Sequence, residues 1–189
     1  MNNDILVAKI ILQTVEGIPK VLEYTDQNGV SKIDVYIGEN RPYDDVTTYS
    51  TIGLSNYNTG LKSSDDKDIR VEFIGVCESK FAKFGNILSS CAFNVINDHF
   101  SCQPGTLYPN VVNEYYDDLS MKHILFTDPF LWENLEYVEI PRSHIIWLMT
   151  VPISNNEFEF AKNNSVEELE NLFAEKEINI FDLNRESVI

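Results

Sequence analysis

One run constrains this chain more than any other: Ile145-Ile146-Trp147-Leu148-Met149-Thr150-Val151-Pro152-Ile153, followed at once by Ser154-Asn155-Asn156-Glu157. It is far short of membrane length, it is rich in β-branched and aromatic residues, and Pro152 closes it. Such a run reads as a strand buried on both faces. A strand of that kind needs a covering layer on each side, so the chain must build a sheet with something packed above and below it.

The periodicity of the flanking segments supplies the rest. Asn3 or Asp4 caps a helix through Ile5, Leu6, Ala8, Ile11, Leu12 and Val15. Its polar strip, Lys9, Gln13 and Glu16, is narrow enough to predict that most of this helix is covered, and Gly17 and Pro19 stop it. Residues 20–26 and 30–38 read as strands, and Asn28-Gly29 between them predicts a two-residue hairpin turn with both residues at positive φ. In the second strand Ile33, Val35 and Ile37 face one way and Lys32, Asp34 and Tyr36 the other, the pattern of one dry and one wet face. Residues 46–54 and 69–77 read as two further strands around a polar loop. Phe84, Leu88, Cys91 and Val95 form a helical stripe widened by Ile87, Ala92 and Ile96, with Phe93 on the far side.

Pro104-Gly105 and Pro109 predict a loop over residues 101–110. A short strand is expected at 111–116, a longer one at 122–127, a docked apolar turn at Phe130-Leu131-Trp132 and an edge strand at 136–140. Ser154 with Glu157, and Ser165 with Glu168, have capping-box spacing, so two helices follow the central strand. The first should bury Phe158 and Ala161, the second Val166, Leu169, Leu172 and Phe173. Ile178, Ile180, Phe181 and Leu183 make a tail expected to pack down. The sum is a single α+β domain over residues 1–189.

Charge narrows the partners. Thirty acidic residues against 14 basic ones give a net charge of −16, which repels nucleic acid and anionic membrane and favours a basic partner or simple solubility. The start, Met1-Asn2-Asn3-Asp4, lacks the basic segment of a signal peptide. The three cysteines, Cys77, Cys91 and Cys102, show no C-x-x-C spacing. A cytoplasmic protein with reduced thiols is the expectation.

Few residues suggest chemistry. His99 and Cys102 could form a nucleophilic pair or two metal ligands, but no second pair completes a zinc site, and His99 falls near the apolar helical stripe, where a core histidine is commoner. His123 and His144 stand alone, Ser89-Ser90 lacks a G-x-S-x-G setting, and Gly53, Gly75 and Gly85 do not assemble a phosphate loop. No cofactor or metal is expected, and the residues argue against an enzyme. The acidic clusters Asp44-Asp45, Asp65/Asp66/Asp68 and Asp117-Asp118 all fall on expected loops, near Tyr43, Tyr49, Tyr57, Tyr115 and Tyr116. Carboxylates beside tyrosines suit a surface that binds a basic protein. A solvated acidic loop has the same composition.

Several segments resemble one known family. Thr48-Tyr49-Ser50-Thr51-Ile52-Gly53-Leu54-Ser55, Trp147 to Ile153, Glu157-Phe158-Glu159-Phe160-Ala161 and the ending Asp182-Leu183-Asn184-Arg185-Glu186-Ser187-Val188-Ile189 are similar to the bacterial suppressor-of-fused-like family, as are Gly85-Asn86-Ile87-Leu88 and Pro104-Gly105-Thr106. The resemblance runs from about the third strand to the C-terminus and is nearest to the Bacillus antitoxin branch, whose members protect against LXG-type nuclease toxins. It implies an α+β fold with a mixed, largely antiparallel sheet flanked by helices. It also implies a non-enzymatic immunity protein that binds a cognate basic DNase toxin domain directly. The alternative within the resemblance is an adaptor holding a non-toxin peptide or protein, as the animal relative pairs a peptide as an extra strand. A third reading is an enzyme using Cys102 and His99. Asp44, Asp45, Asp65, Asp66, Asp68, Asp117 and Asp118 are the expected partner-binding residues.

Overall fold

A computed structural model describes residues 3–135 and 137–189. The elements in chain order are α1 (Asn3–Val15), β1 (Lys20–Thr25), β2 (Lys32–Glu39), β3 (Val46–Ile52), β4 (Asp68–Glu78), α2 (Phe84–Asp98), β5 (Leu107–Tyr108), β6 (Met121–Thr127), β7 (Val138–Ile140), β8 (Ser143–Ser154), α3 (Asn155–Asn163) and α4 (Val166–Glu175). Among the described residues the strands form one sheet in the order β1-β2-β3-β4-β8-β6-β5, with β7 also paired to β8.

The long apolar run is β8, at the centre of that sheet. It pairs in parallel with β4 from Asp68↔Ser143 to Gly75↔Thr150 and antiparallel with β6 and β7 on its other side. The β4–β8 pairing is the parallel one and the remaining pairings are antiparallel, so the sheet is mixed and largely antiparallel. Pro152 does not end the strand, which continues to Ser154. Its missing N–H is tolerated because pairing with β4 has already stopped at Thr150.

Both faces are covered, as the central strand demands. On one face Ile33, Val35, Phe73, Phe126 and Leu148 pack against α2 through Phe84, Ile87, Leu88 and Cys91. On the other, Ile74, Ile145, Trp147, Met149 and Val151 meet α1 through Val7, Ile11 and Val15, with Phe158 of α3 and Phe173 of α4 packed alongside. α2 and the sheet meet closely at Gly75, where an added Cβ would lie 2.3 Å from Thr150 Oγ1 and 2.7 Å from a Phe84 ring carbon.

Several expectations need correction. The hairpin loop spans residues 26–31, since pairing stops at Thr25↔Lys32. Asp26 accepts from the Val30 N–H at 2.8 Å through its side chain and so closes a wider turn, in which Gly29 alone takes a positive φ. Tyr36 is buried rather than wet, because α1 lies over that face and the Tyr36 hydroxyl donates to the Glu16 carbonyl. α1 itself is covered less than its composition suggested: Ile5 and Leu12 remain exposed. The expected loop at 101–110 contains β5, which folds back onto β6. The expected strand at 111–116 is a series of turns, with the Tyr115 and Tyr116 N–H groups both donating to the Val112 carbonyl at 3.0 Å. Phe93 is half-buried against the α2 cluster. The edge strand begins at Val138, and Glu136 lies outside the described residues. Of the four residues expected to be buried in α4, Leu169 alone is fully so. Phe158 is half-buried and stacks on His123 at 4.3 Å.

Candidate partner-binding surface

The tail is fixed first, because it shapes the surface. After α4 the chain crosses the sheet's end: the Glu78 N–H donates to the Phe181 carbonyl at 2.8 Å and the Met121 N–H to the Leu183 carbonyl at 3.0 Å. Arg185 then enters the interior. Its guanidinium forks onto Glu157, Nη1 to Oε1 at 2.6 Å and Nη2 to Oε2 at 2.9 Å, with further bonds to the Pro152 and Glu186 carbonyls. Glu157 also accepts from the Ser154 and Val188 N–H groups, and its side chain is fully buried. Ser154 and Glu157 complete the expected capping box at the start of α3, whereas Ser165 caps α4 by accepting from Glu168 N. A short cap motif in the sequence is thus also the anchor of the C-terminal strap.

That strap forms one side of an apolar groove of about 510 Å³. Leu125 of β6 and Val151 of β8, buried register partners, lie beneath it, and Phe130, Leu131, Phe173 and Ile178 also line it. Tyr43, from the loop before β3, closes one end with its ring edge-on to Phe181 at 5.8 Å. Two carboxylates line the groove, Glu170 and Glu177, and among the described residues no lysine, arginine or histidine does. Glu170 accepts from the Thr127 hydroxyl at 2.8 Å, which holds it at the rim. Phe130 and Tyr43 are about 60% exposed, so two large aromatic side chains at the groove face solvent.

The structure divides the expected acidic residues into two ends. Asp44 and Asp45 adjoin Tyr43, in a loop that meets the C-terminal end of β4 through Val46↔Glu78. Asp117 and Asp118 precede β6, whose start lies beside the end of β8 at Met121↔Ser154. All four are exposed, and among the described residues none has an ion-pair partner. Asp65, Asp66 and Asp68 sit at the opposite end, where β4 and β8 begin. They are largely balanced by neighbouring cations. Lys62 lies 2.8 Å and Arg70 3.1 Å from Asp68, and Lys67 lies 3.2 Å from Asp65 and also pairs with Glu139. The Ser63 hydroxyl and the Lys67 ammonium hold Asp65 well below the usual carboxylate range, and Lys62 and Arg70 lower Asp68.

The remaining candidates resolve plainly. His99 is exposed at the left-handed C-cap of α2 (φ 54°) and is not the core histidine its place near the stripe suggested. Cys102 is fully buried, and burial pushes its thiol up to about 11, away from the thiolate a nucleophile needs. His123 accepts from the Asn110 N–H and bonds Asn155, a packing role. No cluster of three or more His, Cys, Asp or Glu residues suits a metal among the described residues, and no described helix is long and apolar enough to cross a membrane. Of the five tyrosines near the acidic clusters, Tyr43 and Tyr57 are exposed, while Tyr49 is buried on Phe84 and the Tyr115 and Tyr116 hydroxyls bond Ser90 and Lys83.

The sequence model of the suppressor of fused protein family matches residues 29–186. The chain belongs to the suppressor of fused family. It is also 39% identical over 185 residues to immunity protein YqcF of Bacillus subtilis (strain 168), covering 97% of this chain and 96% of the relative. The fold is that of a suppressor of fused homolog from Neisseria gonorrhoeae FA 1090, with a TM-score of 0.74 at 20% identity, covering 100% of this chain and 98% of that one. A crystal structure of the Sufu–Fu complex aligns with a TM-score of 0.69 at 12% identity over 98% of this chain and 92% of that one. Drosophila Suppressor of Fused aligns at 0.65 and 12% identity, with 98% of this chain matching half of that one. The family's segments in this chain turn out to be scaffold. Thr51, Gly53, Leu54 and Ser55 surround the buried Glu72, and Arg185 of the ending reaches the buried Glu157.

The groove is what sequence reasoning missed. Its lining comes from four separated stretches: the three containing Leu125, Val151 and Phe173 read locally as core, and Tyr43 reads as part of a polar loop. The one local signal was Phe130 beside Asp128-Pro129, an aromatic in a turn with no strand of its own.

Proposed function

We propose that this protein is an immunity protein: an antitoxin that binds a cognate LXG-type DNase toxin in the cytoplasm and blocks it by direct contact, turning over no substrate. The observation that carries the reading is the 39% identity to an immunity protein along nearly the whole of both chains. The charge supports the nuclease part of it. A nuclease domain must present cations to hold phosphate, and a chain of net charge −16 offers carboxylates in their place.

In this reading residues 1–189 act as one domain. Asp44, Asp45, Asp117 and Asp118 meet the toxin's cations, while Asp65, Asp66 and Asp68 contribute less because Lys62, Lys67 and Arg70 already share their charge. A second reading, an adaptor holding a non-toxin peptide, is favoured by β1, an outer strand whose Val21 and Leu22 are exposed.

Co-expression with an LXG-type DNase toxin from the same genome tests the proposal. Cells carrying the chain should survive and the two proteins should co-purify, and the complex should weaken steeply as salt is raised. Equal death with and without the chain would refute the immunity role. Survival with a salt-independent affinity would refute the electrostatic part alone.

A further inference from the structure

The groove over β6 and β8 combines an apolar interior with a wholly acidic set of charged groups. It holds exposed aromatic side chains, Phe130 and Tyr43, around an apolar floor, and among the described residues every charged group lining it is a carboxylate. Asp44 and Asp45 extend that negative rim past Tyr43. An apolar centre with an acidic edge selects against most hydrophobic occupants. A fatty acid would bring its own carboxylate to Glu170 and Glu177, and an anionic bilayer its phosphates. A second copy of this chain would bring a net charge of −16.

We infer that the groove receives an aromatic or branched aliphatic side chain of the toxin, carried on a segment in which lysine or arginine flanks it. The inference rests on the immunity reading and specifies where the toxin is gripped. The apolar side chain fills the space between Phe130 and Phe173, and the flanking cations reach Glu177 on one side and Asp44 and Asp45 on the other. This is the usual division of an interface into a desolvated anchor and a charged rim. It also explains why the strap is anchored so firmly: Ile178 and Phe181 belong to the groove and hang from it.

Ala174 offers a clean test, since it lines the groove from the exposed face of α4 and supports no core contact. Ala174→Trp fills the groove, and Ala174→Arg fills it and places a cation beside Glu170 and Glu177. With a toxin domain that the parent protein neutralises, either variant should keep its melting temperature and bind the toxin at least tenfold more weakly. A folded variant that neutralises as well as the parent overturns the inference and leaves the immunity role standing.

A second arm needs no toxin. A short fluorescent peptide with a Trp-Leu centre flanked by lysines should bind the parent, lose binding in Ala174→Trp, and shift the NMR signals of Phe130 and Phe173. The same centre flanked by glutamates should bind at least tenfold more weakly. Equal binding of the two peptides, or binding that Ala174→Trp leaves intact, overturns the inference. So does preference for oleate or phosphatidylglycerol vesicles, or self-association that Ala174→Arg abolishes. This arm tests the groove even if the chain protects against no toxin.

Discussion

Arg185→Ala is expected to lower the unfolding free energy by about 3–5 kcal/mol, the usual cost of stranding one partner of a buried ion pair. The substitution leaves Glu157 with no exposed side-chain surface and removes two of the four hydrogen bonds its carboxylate accepts. The ring of Phe173, 5.2 Å from the guanidinium carbon, loses its cation at the same time. Urea unfolding read by tryptophan fluorescence measures the loss, and a loss below about 1 kcal/mol would mean the pair is wetter than its burial implies. Replacing both partners together, Glu157→Leu with Arg185→Met, should cost much less than the sum of the single changes, because no charge is left buried. The consequence for function follows from position. The same strap supplies Ile178 and Phe181 to the groove, so Arg185→Ala should also weaken partner binding at temperatures where the variant is still folded.

Glu72→Gln is the second large effect. Glu72 is fully buried in β4, and its carboxylate accepts from the Thr51 hydroxyl at 2.6 Å and from the Gly53, Leu54 and Ser55 N–H groups at 3.0–3.3 Å. Thr51 Oγ1 already accepts the Phe73 N–H, so its proton points at the carboxylate. A glutamine would turn an NH₂ toward these donors and leave at least one of them unsatisfied, a cost of about 1–3 kcal/mol. The pH dependence is a separate signature. Burial pushes the carboxyl up to about 7 from an ordinary 4.5, outweighing the donors, the neighbouring Ser55 hydroxyl included. A carboxyl with a raised folded pKa binds its proton more tightly in the folded state. Its contribution to stability is therefore full below about pH 4.5 and lost as pH rises through about 7. Over that window the parent should lose roughly 3 kcal/mol from this group, and Glu72→Gln should lose none of it. Parallel slopes for the two proteins between pH 5 and 8 would show that Glu72 stays ionised throughout.

Both carboxylates show where sequence reasoning stops. Glu72 alternates with Val71 and Phe73 as any solvent-facing strand residue would, and only the turn at Gly53, supplied by the end of a different strand, makes its burial possible. Glu157 announced itself as a cap, which it is, but its main partner lies 28 residues away and no local pattern points to it. Elements set by local pattern were legible. The apolar run from Ile145 gave the central strand, the stripe from Phe84 gave α2, and Ser154 gave the start of α3, because each depends on burial or capping within one segment. Loops were harder. Asp26 captures the Val30 N–H four residues on and widens the hairpin that Asn28-Gly29 suggested, and β5, which follows Pro104-Gly105, forms by pairing with β6, outside the local window. The surface was legible in its residue types but not in its layout. Nothing in the chain order says that Asp44, next to Tyr43, lies near an apolar groove, or that Lys67 reaches Glu139 across 72 residues.

In the proposed role the chain occupies a toxin and transforms nothing. Titrating it against a fixed amount of purified toxin nuclease, with DNA cleavage as the signal, separates occupation from catalysis. Occupation predicts that cleavage falls linearly and reaches zero at one molecule of inhibitor per toxin, with activity returning when the complex is dissociated in high salt. Complete loss of cleavage at a small fraction of that ratio, or toxin that stays inactive after the chain is removed, would mean the chain modifies its target catalytically.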